Sequence, residues 1–372
     1  MRVEDSTAVQ PGLTFINSLW EGPEGWYAGF RLVNTEGETL HQWRVDRGAI
    51  FPDFVERRGD PEQRILHGSH LFPNGDVLFN IQYVGAVRID ACGDIRWRLP
   101  EGNHHSVSRA EDGSFWISGL AENPGAKSKM YPNGYPGFDT PVWIDQLHHV
   151  SADGQLLERI NVLDILYAND LERYIVKAWQ PQAGDEAPRE KDITHLNDVE
   201  PLSASMAEEY PLFEAGDLVV SLRGVSLVFV FDPDSGNVKW HTSDPLIMQH
   251  DPDFIGDGWI GIFDNRRDFT ERGTMLGGSR IVAVQPHTGA VETRFPTFVS
   301  DRLYTKSQGM WQLLPNGNML LAEAKAGRIL EVAPDGQSVW EWIIEPYSDS
   351  KVSRISEMTR LNLLRADVAS WP

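Results

Sequence analysis

Eight residues ahead of a turn glycine, this sequence repeatedly places a histidine. Counting back from Gly75 reaches His67, from Gly113 His105, and from Gly258 His250. A fourth, His195, opens "HLND" in a stretch with a longer lead, and the same count gives Asn17 ahead of Gly25 and Gly309 ahead of Gly317. A lone histidine at a strand start usually caps the strand or bonds a neighbouring backbone. Four of the chain's 11 histidines at one repeat position form a set. Converging imidazoles can ligate a metal, move protons near neutral pH, or attack as a nucleophile.

Neighbouring residues help to choose. Asn197 follows His195 by two positions, so alternation along an extended chain turns both the same way. "VVSLRGVS" puts Arg223 on the next strand of that copy. Its planar donor fork suits sulfate, phosphate or carboxylate. Imidazoles, an amide and a guanidinium make an oxyanion cradle. A metal site built from His67, His105, His195 and His250 around a divalent ion has less use for the arginine. That metal-dependent alternative, a lyase or an oxidoreductase, stays open at this point. So does a propeller that only binds.

The element that must position these residues is a repeat. An acidic residue or Asn, then Gly, then two apolar strands and a second Gly turn recur six times: at 23–43, 73–97, 111–160 (with a gap), 215–240, 256–295 (with a gap) and 315–340. In three copies a Trp follows the second Gly at a fixed distance: Gly93 and Trp97, Gly236 and Trp240, Gly336 and Trp340. Period-2 apolar alternation with Gly turns reads as all-β. Six units of about four strands predict a six-bladed β-propeller, which closes radially and leaves few exposed edges. Equivalent positions on innermost strands then ring one mouth of the central channel, and each Trp packs between units.

Two stretches break the beat. Residues 121–140 are a Pro/Gly-rich loop inside the third copy. Residues 161–214 form a partly helical insertion between the third and fourth blades: "NVLDILYANDLERYIVKAW" has helical spacing and "QPQAGDEAPREKD" is polar loop. Long insertions on a repeat scaffold collect on one face and often build the site. The closing segment, 343–372, either completes the ring or packs beneath it. The expectation is one propeller domain over 1–372.

Composition narrows the partners. With 33 Lys and Arg against 54 Asp and Glu, the formal net charge is -21. Such a surface repels nucleic acid and anionic membranes, so neither is an expected partner. Small anionic substrates stay compatible through a local basic pocket. No window approaches the ~18 apolar residues of a membrane span. One cysteine, Cys92, permits no intrachain disulfide and reads as a tolerated small residue. The opening residues carry no apolar signal-peptide core, so a cytoplasmic location is expected, or a periplasmic one if a leader has been removed. The oligomeric state is not readable.

Three motifs in order resemble the arylsulfate sulfotransferase (ASST) family of bacterial six-bladed propellers: "HHSVSRAEDGSFWI"; "HLND" with "SLRGVS" and "SGNVKW"; and "QHDPDFIGDGWIGIFDN". The six copies extend the resemblance over residues 15–345. It implies sulfuryl transfer between phenols by a ping-pong route, with no nucleotide sulfate donor and no cofactor. By this resemblance His250 is the histidine transiently sulfurylated. His195, Asn197 and Arg223 hold the sulfuryl oxygens, and His105 serves the phenol oxygen. Lys306 is a weaker match for a further positive charge, and His67 and the His104-His105 doublet add imidazoles that the family's transfer does not need. His67, His104 and Lys306 are assigned to substrate binding, and Trp, Tyr and Phe side chains to stacking on a small aromatic substrate. With one cysteine the chain has no counterpart of the periplasmic members' disulfide, and the stretch ahead of the first copy is expected to hold no counterpart of their N-terminal β-domain. Asp264 and Asn265, which close the fifth copy's strand, read as structural.

Overall fold

The computed structural model describes residues 2–3, 5–52, 65–138, 141–178, 192–348 and 351–372. Among the described residues the strands assemble into six four-stranded antiparallel sheets, one of them extended by a fifth, short strand, and a separate two-stranded hairpin pairs Pro346–Ser348 with Lys351–Val352. In the fourth blade the two middle strands, Leu218–Leu222 and Leu227–Phe231, are buried along their whole length. They read as continuous apolar runs because neighbouring blades cover both faces. The outermost strand, Val238–Thr242, is only half-buried. Blades pack through shared apolar layers: Val219, Val228 and Val230 of the fourth meet Phe254, Ile260 and Val282 of the fifth. The fold is the six-bladed β-propeller that the repeat predicts.

The two ends of the chain close it. Glu357–Leu361 pairs with Leu13–Asn17 and becomes the innermost strand of the first blade. Arg2–Val3 pairs with Trp340 and Glu341 at the outer edge of the sixth. This corrects the count from Gly25: Asn17 lies on the second strand of its blade, and the closing tail supplies the channel-lining one. A buried ion pair, Arg360 to Glu331 at 3.1 Å, spans this closure.

The Trp beat ties blade to blade. Trp97 donates from its indole to the Ala152 carbonyl of the next blade, Trp43 to Gly75, and Trp340 to Thr35. Trp240 packs into the layer between the fourth and fifth blades.

Antiparallel alternation fixes where connections fall. Each innermost strand begins at one face, and the chain returns to that face between second and third strands and again between blades. The loop 121–138 and the helices of the insertion therefore sit at the face where the histidines begin. The insertion holds two short helices, Val162–Ala168 and Glu172–Ala178, separated at Asn169 and Asp170, the latter at φ 57°. The second contacts the 3-10 turn that carries Arg223. Tyr135 and Ser128 donate to Asp164 at 2.8 and 2.6 Å, pinning the loop to the first helix. The polar stretch 179–191 lies outside the described residues. The innermost strand of the fourth blade, Leu196–Pro201, falls inside the span read as insertion.

Candidate functional site

The innermost strands do not start smoothly. In the second, fourth and fifth blades the pairing register slips at the first residues: between His67 and Ser69, between Leu196 and Asp198, and between His250 and Pro252. His105, His195 and Asp251 adopt positive φ values of 48°, 50° and 53°. Non-glycine residues in this region are strained, and bulges re-aim side chains. Asparagines hold the irregular backbone: Asn17 donates to Leu66, Asn80 to His104 and His105, and Asn197 to Gln249, each at a carbonyl of the next blade.

The imidazoles converge. Ring centres of His67 and His105 lie 4.4 Å apart, and those of His105 and His195 5.0 Å apart. His67, Asn197 and His250 line a channel cavity of about 140 Å³. In the sixth blade the equivalent position is Gly309, at φ 116°, where an added Cβ would sit 2.5 Å from the Phe263 ring. His105, His195 and Arg223 are not among the cavity's lining residues, and neither is His104. It stands behind His105, almost fully buried, against Tyr83. Lys306 ion-pairs with the exposed Glu271 at 2.7 Å. Among the described residues no three His, Cys, Asp or Glu side chains group in a metal-holding arrangement.

Burial governs the charge of the ring. It brings His67 down to about 3, helped by His104, Arg354 and His195. Burial, then the neighbouring imidazoles, holds His105 well below its ordinary value. Burial and the Arg223 guanidinium do the same to His250. For His195, burial outweighs the opposing pull of Asp192. These rings are therefore neutral at pH 7 in the free protein.

Hydrogen bonds set the tautomer of His250. The Asn265 amide nitrogen donates to the Thr305 and Gln308 carbonyls at 2.9 and 2.5 Å, which fixes its oxygen toward the ring. That oxygen lies 2.6 Å from His250 Nδ1. It can only accept, so Nδ1 carries the proton and Nε2 keeps its lone pair. Asn265, read from the sequence as structural but near enough to the site to matter, is thus in direct hydrogen-bond contact with His250. Asp264, by contrast, accepts from the Ile247 amide and from Arg280, as a structural residue does. His195 has a partner that was also missed: its Nδ1 donates to Asp192. Asn197 has one N–H engaged by Gln249, while its oxygen is buried without a hydrogen-bond partner.

Two charge zones flank the ring. Arg223 begins the second-to-third-strand turn of the fourth blade, and Lys325 sits on the matching turn of the sixth. Partial burial and the charges of Arg354, Lys306 and Arg223 bring the Lys325 ammonium down to about 8. Further along the channel, Asp198, Glu200, Asp251, Asp253 and Glu357 line the same cavity. Burial first, then mutual repulsion, raises Asp198 and Asp253; burial lifts Glu200 and Asp251 to about 7 and Glu357 to about 8. The histidine spacing signalled the mouth. The acidic lining was legible only as scattered Asp and Glu.

A closed six-bladed propeller with clustered neutral imidazoles at its channel mouth defines a channel-site propeller of the histidine-bearing kind. The chain belongs to the arylsulfotransferase (ASST) family, whose family model matches residues 68–345. Family membership points to aryl sulfotransferase activity. Among curated proteins none matches the chain. Of solved structures, a Bacteroides caccae protein of unknown function is similar at 12% identity and a TM-score of 0.57, covering 95% of this chain and 100% of that one. A virginiamycin B lyase from Staphylococcus aureus reaches 10% identity and a TM-score of 0.44, over 89% of this chain and 85% of its own. The first shares the fold of this chain. No helix among the described residues is long and apolar enough to cross a membrane.

Proposed function

We propose that the protein moves a sulfuryl group from an aryl sulfate to a phenolic acceptor through a covalent intermediate on His250. The observation that carries this reading is the neutral, Nδ1-protonated His250, whose Nε2 lone pair is held ready by Asn265. In the first half-reaction that lone pair forms an N–S bond. The S–O bond to the aryl group breaks, and its electron pair leaves on the phenoxide, which takes up a proton. In the second, the acceptor phenol loses its proton, its oxygen attacks sulfur, and the N–S bond returns its pair to Nε2.

Arg223 supplies the fixed positive charge for the sulfuryl oxygens. His195 joins it as an imidazolium when the substrate's negative charge arrives, with Asp192 balancing that charge. Asn197 offers its one remaining N–H. His105 exchanges the proton at the phenol oxygen, and His67 borders the aryl group. Such groups act strongly because they are buried or half-buried and preorganised. Lys306, already paired with Glu271, contributes long-range charge rather than contact.

The test is incubation with 4-nitrophenyl sulfate, with and without phenol. The expected results are nitrophenolate release, phenyl sulfate formation, and a gain of about 80 Da (one SO₃ group) on the His250 peptide. Release that persists in His250→Ala, or that tracks bound metal and stops with a chelator, overturns the reading.

A further inference from the structure

His104 and Asp145 lie outside the transfer chemistry, yet they stand in line with His105: His104 hydrogen-bonds it, and Asp145 lies beside the far side of the His104 ring. His104 Nε2 is 3.1 Å from the Gly119 carbonyl oxygen, an acceptor only, so Nε2 donates there. When that ring is neutral, Nδ1 has a bare lone pair and His105 Nδ1, 2.7 Å away, donates to it; when it is an imidazolium, its Nδ1 donates and His105 Nδ1 accepts. With His104 neutral, His105 has a proton on Nδ1 and a bare Nε2, the form that accepts a proton. On the far side, Asp145 Oδ1 stands 3.5 Å from His104 Nε2. Its other oxygen accepts from Thr194 Oγ1 and the Leu196 amide, which fixes the carboxylate.

The positions are tightly determined. His104 and Asp145 are 1% and 2% exposed. The His148 ring covers Gly119 so closely that a Cβ there would lie 2.3 Å from it. His148 is itself held by Asn103 and Gln146. Five hydrogen-bonding side chains thus converge behind a single channel imidazole. His105 by itself is a poor proton acceptor, buried and surrounded by other imidazoles.

We propose that His105, His104 and Asp145 form a proton relay in which the proton taken from the acceptor phenol comes to rest on His104, paired with Asp145. The inference rests on the transfer reading above. The phenol O–H proton passes to His105 Nε2, and the His105 Nδ1 proton passes to His104 Nδ1. His104 then holds protons on both nitrogens as an imidazolium beside the Asp145 carboxylate. In the donor half-reaction the movement reverses: His104 returns its Nδ1 proton to His105, and His105 Nε2 protonates the departing phenoxide. The proton is stored while His250 is free and spent while it is sulfurylated. The relay therefore compensates the positive charge that the His250 ring gains with the sulfuryl group. His104 and Asp145 are positioning residues that act through His105.

His104→Gln separates relay from scaffold. The glutamine oxygen accepts from His105 Nδ1 and its amide donates to Gly119, but it cannot carry the proton. The experiment compares acceptor half-reaction rates for phenol and for 4-nitrophenol, starting from enzyme pre-sulfurylated on His250. Relay loss should slow phenol at least about tenfold more than the acidic nitrophenol, which arrives already ionised. Asp145→Asn, whose oxygen can still accept from Thr194 and Leu196, should shift the ratio in the same direction, with near-ultraviolet circular dichroism reporting the fold. An unchanged acceptor ratio in both variants, or equal slowing of both phenols, overturns the relay while the sulfuryl adduct upholds the transfer. A wild-type protein that never acquires the adduct overturns the transfer itself, and the relay with it.

Discussion

Replacing Asn265 by leucine tests whether the tautomer of His250 is what prepares it for attack. The two side chains are close in size, so the change removes hydrogen bonds with little loss of volume. His250 Nδ1 loses its acceptor at 2.6 Å. As Nε2 bonds to sulfur, the ring becomes cationic, so this hydrogen bond strengthens on the way to the transition state. A hydrogen bond to a charged group is worth about 1.5–3 kcal/mol, which converts to a loss of roughly 10- to 150-fold in rate. The ring is also freed to take the other tautomer, with its lone pair turned away from the substrate. Stability falls as well. The Gln308 carbonyl loses its Asn265 donor, while the Thr305 carbonyl keeps Ser279 Oγ at 3.4 Å. One buried carbonyl left without a donor costs about 1–3 kcal/mol. The assay is the single-turnover burst of nitrophenolate from 4-nitrophenyl sulfate, beside a thermal melt. A folded Asn265→Leu protein whose burst rate stays within about threefold of wild type would refute the argument that this amide poises the nucleophile.

Two stability predictions follow from buried charge. Glu357, raised to about 8 in the fold, keeps a proton that the unfolded chain releases near its ordinary value. Its contribution is complete below that ordinary value and is lost as pH rises through about 8. Between pH 6.5 and 8 this amounts to about 2 kcal/mol, so Glu357→Gln should flatten the decline of the melting temperature over that window; an unaltered decline would count against it. Glu331→Gln strands the Arg360 charge at the ring closure, where the pair is 1% and 0% exposed. Breaking a buried pair on one side costs about 3–5 kcal/mol, to be read by urea unfolding, and a change under 1 kcal/mol (about a fifth to a third of that range) would show that the closure does not depend on it.

The fold was legible because a repeat multiplies weak signals. No single Gly turn specifies a propeller, but six copies and the Trp beat do, and the indoles of Trp97 and Trp340 indeed bridge blades. The histidine set was legible for the same reason. What escaped were residues whose role depends on a partner far along the chain. Asn265 looked like a strand terminus, yet it serves a histidine 15 positions away. Asp145 serves His104 across two strands of one blade. The count from Gly25 failed because the first blade takes its innermost strand from the other end of the chain, and no local spacing reports that. His104 misled in the opposite way: adjacency to His105 suggested a second channel imidazole, but the positive φ at His105 turns the two rings apart, with an interplanar angle of 89°.

The distribution of charge along the channel gives the proposed chemistry a direction. A protein of net charge -21 keeps Arg223, Lys306, Lys325 and Arg354 together at the one face where every innermost strand begins. An aryl sulfate is drawn to that face and repelled elsewhere, because long-range fields concentrate where like charges cluster in a low-dielectric mouth. Beyond the histidines the lining turns to Asp198, Glu200, Asp251, Asp253 and Glu357. A sulfate that moved past His250 would meet these carboxylates without a cation to pair with among the residues lining that cavity. Burial keeps Asp198 and Asp253 protonated, but Glu200 and Asp251, at about 7, are half ionised at neutral pH and supply the repelling charge. In the proposed reaction this would hold the sulfuryl group at the level of the imidazoles, with the aryl group toward the open mouth and His250 Nε2 placed to approach sulfur opposite the leaving oxygen. On this argument, neutralising the acidic lining should not speed transfer. It should instead weaken the preference for binding at the mouth, and saturation by 4-nitrophenyl sulfate in a Glu200→Gln, Asp253→Asn protein would show inhibition by excess donor that the wild type does not.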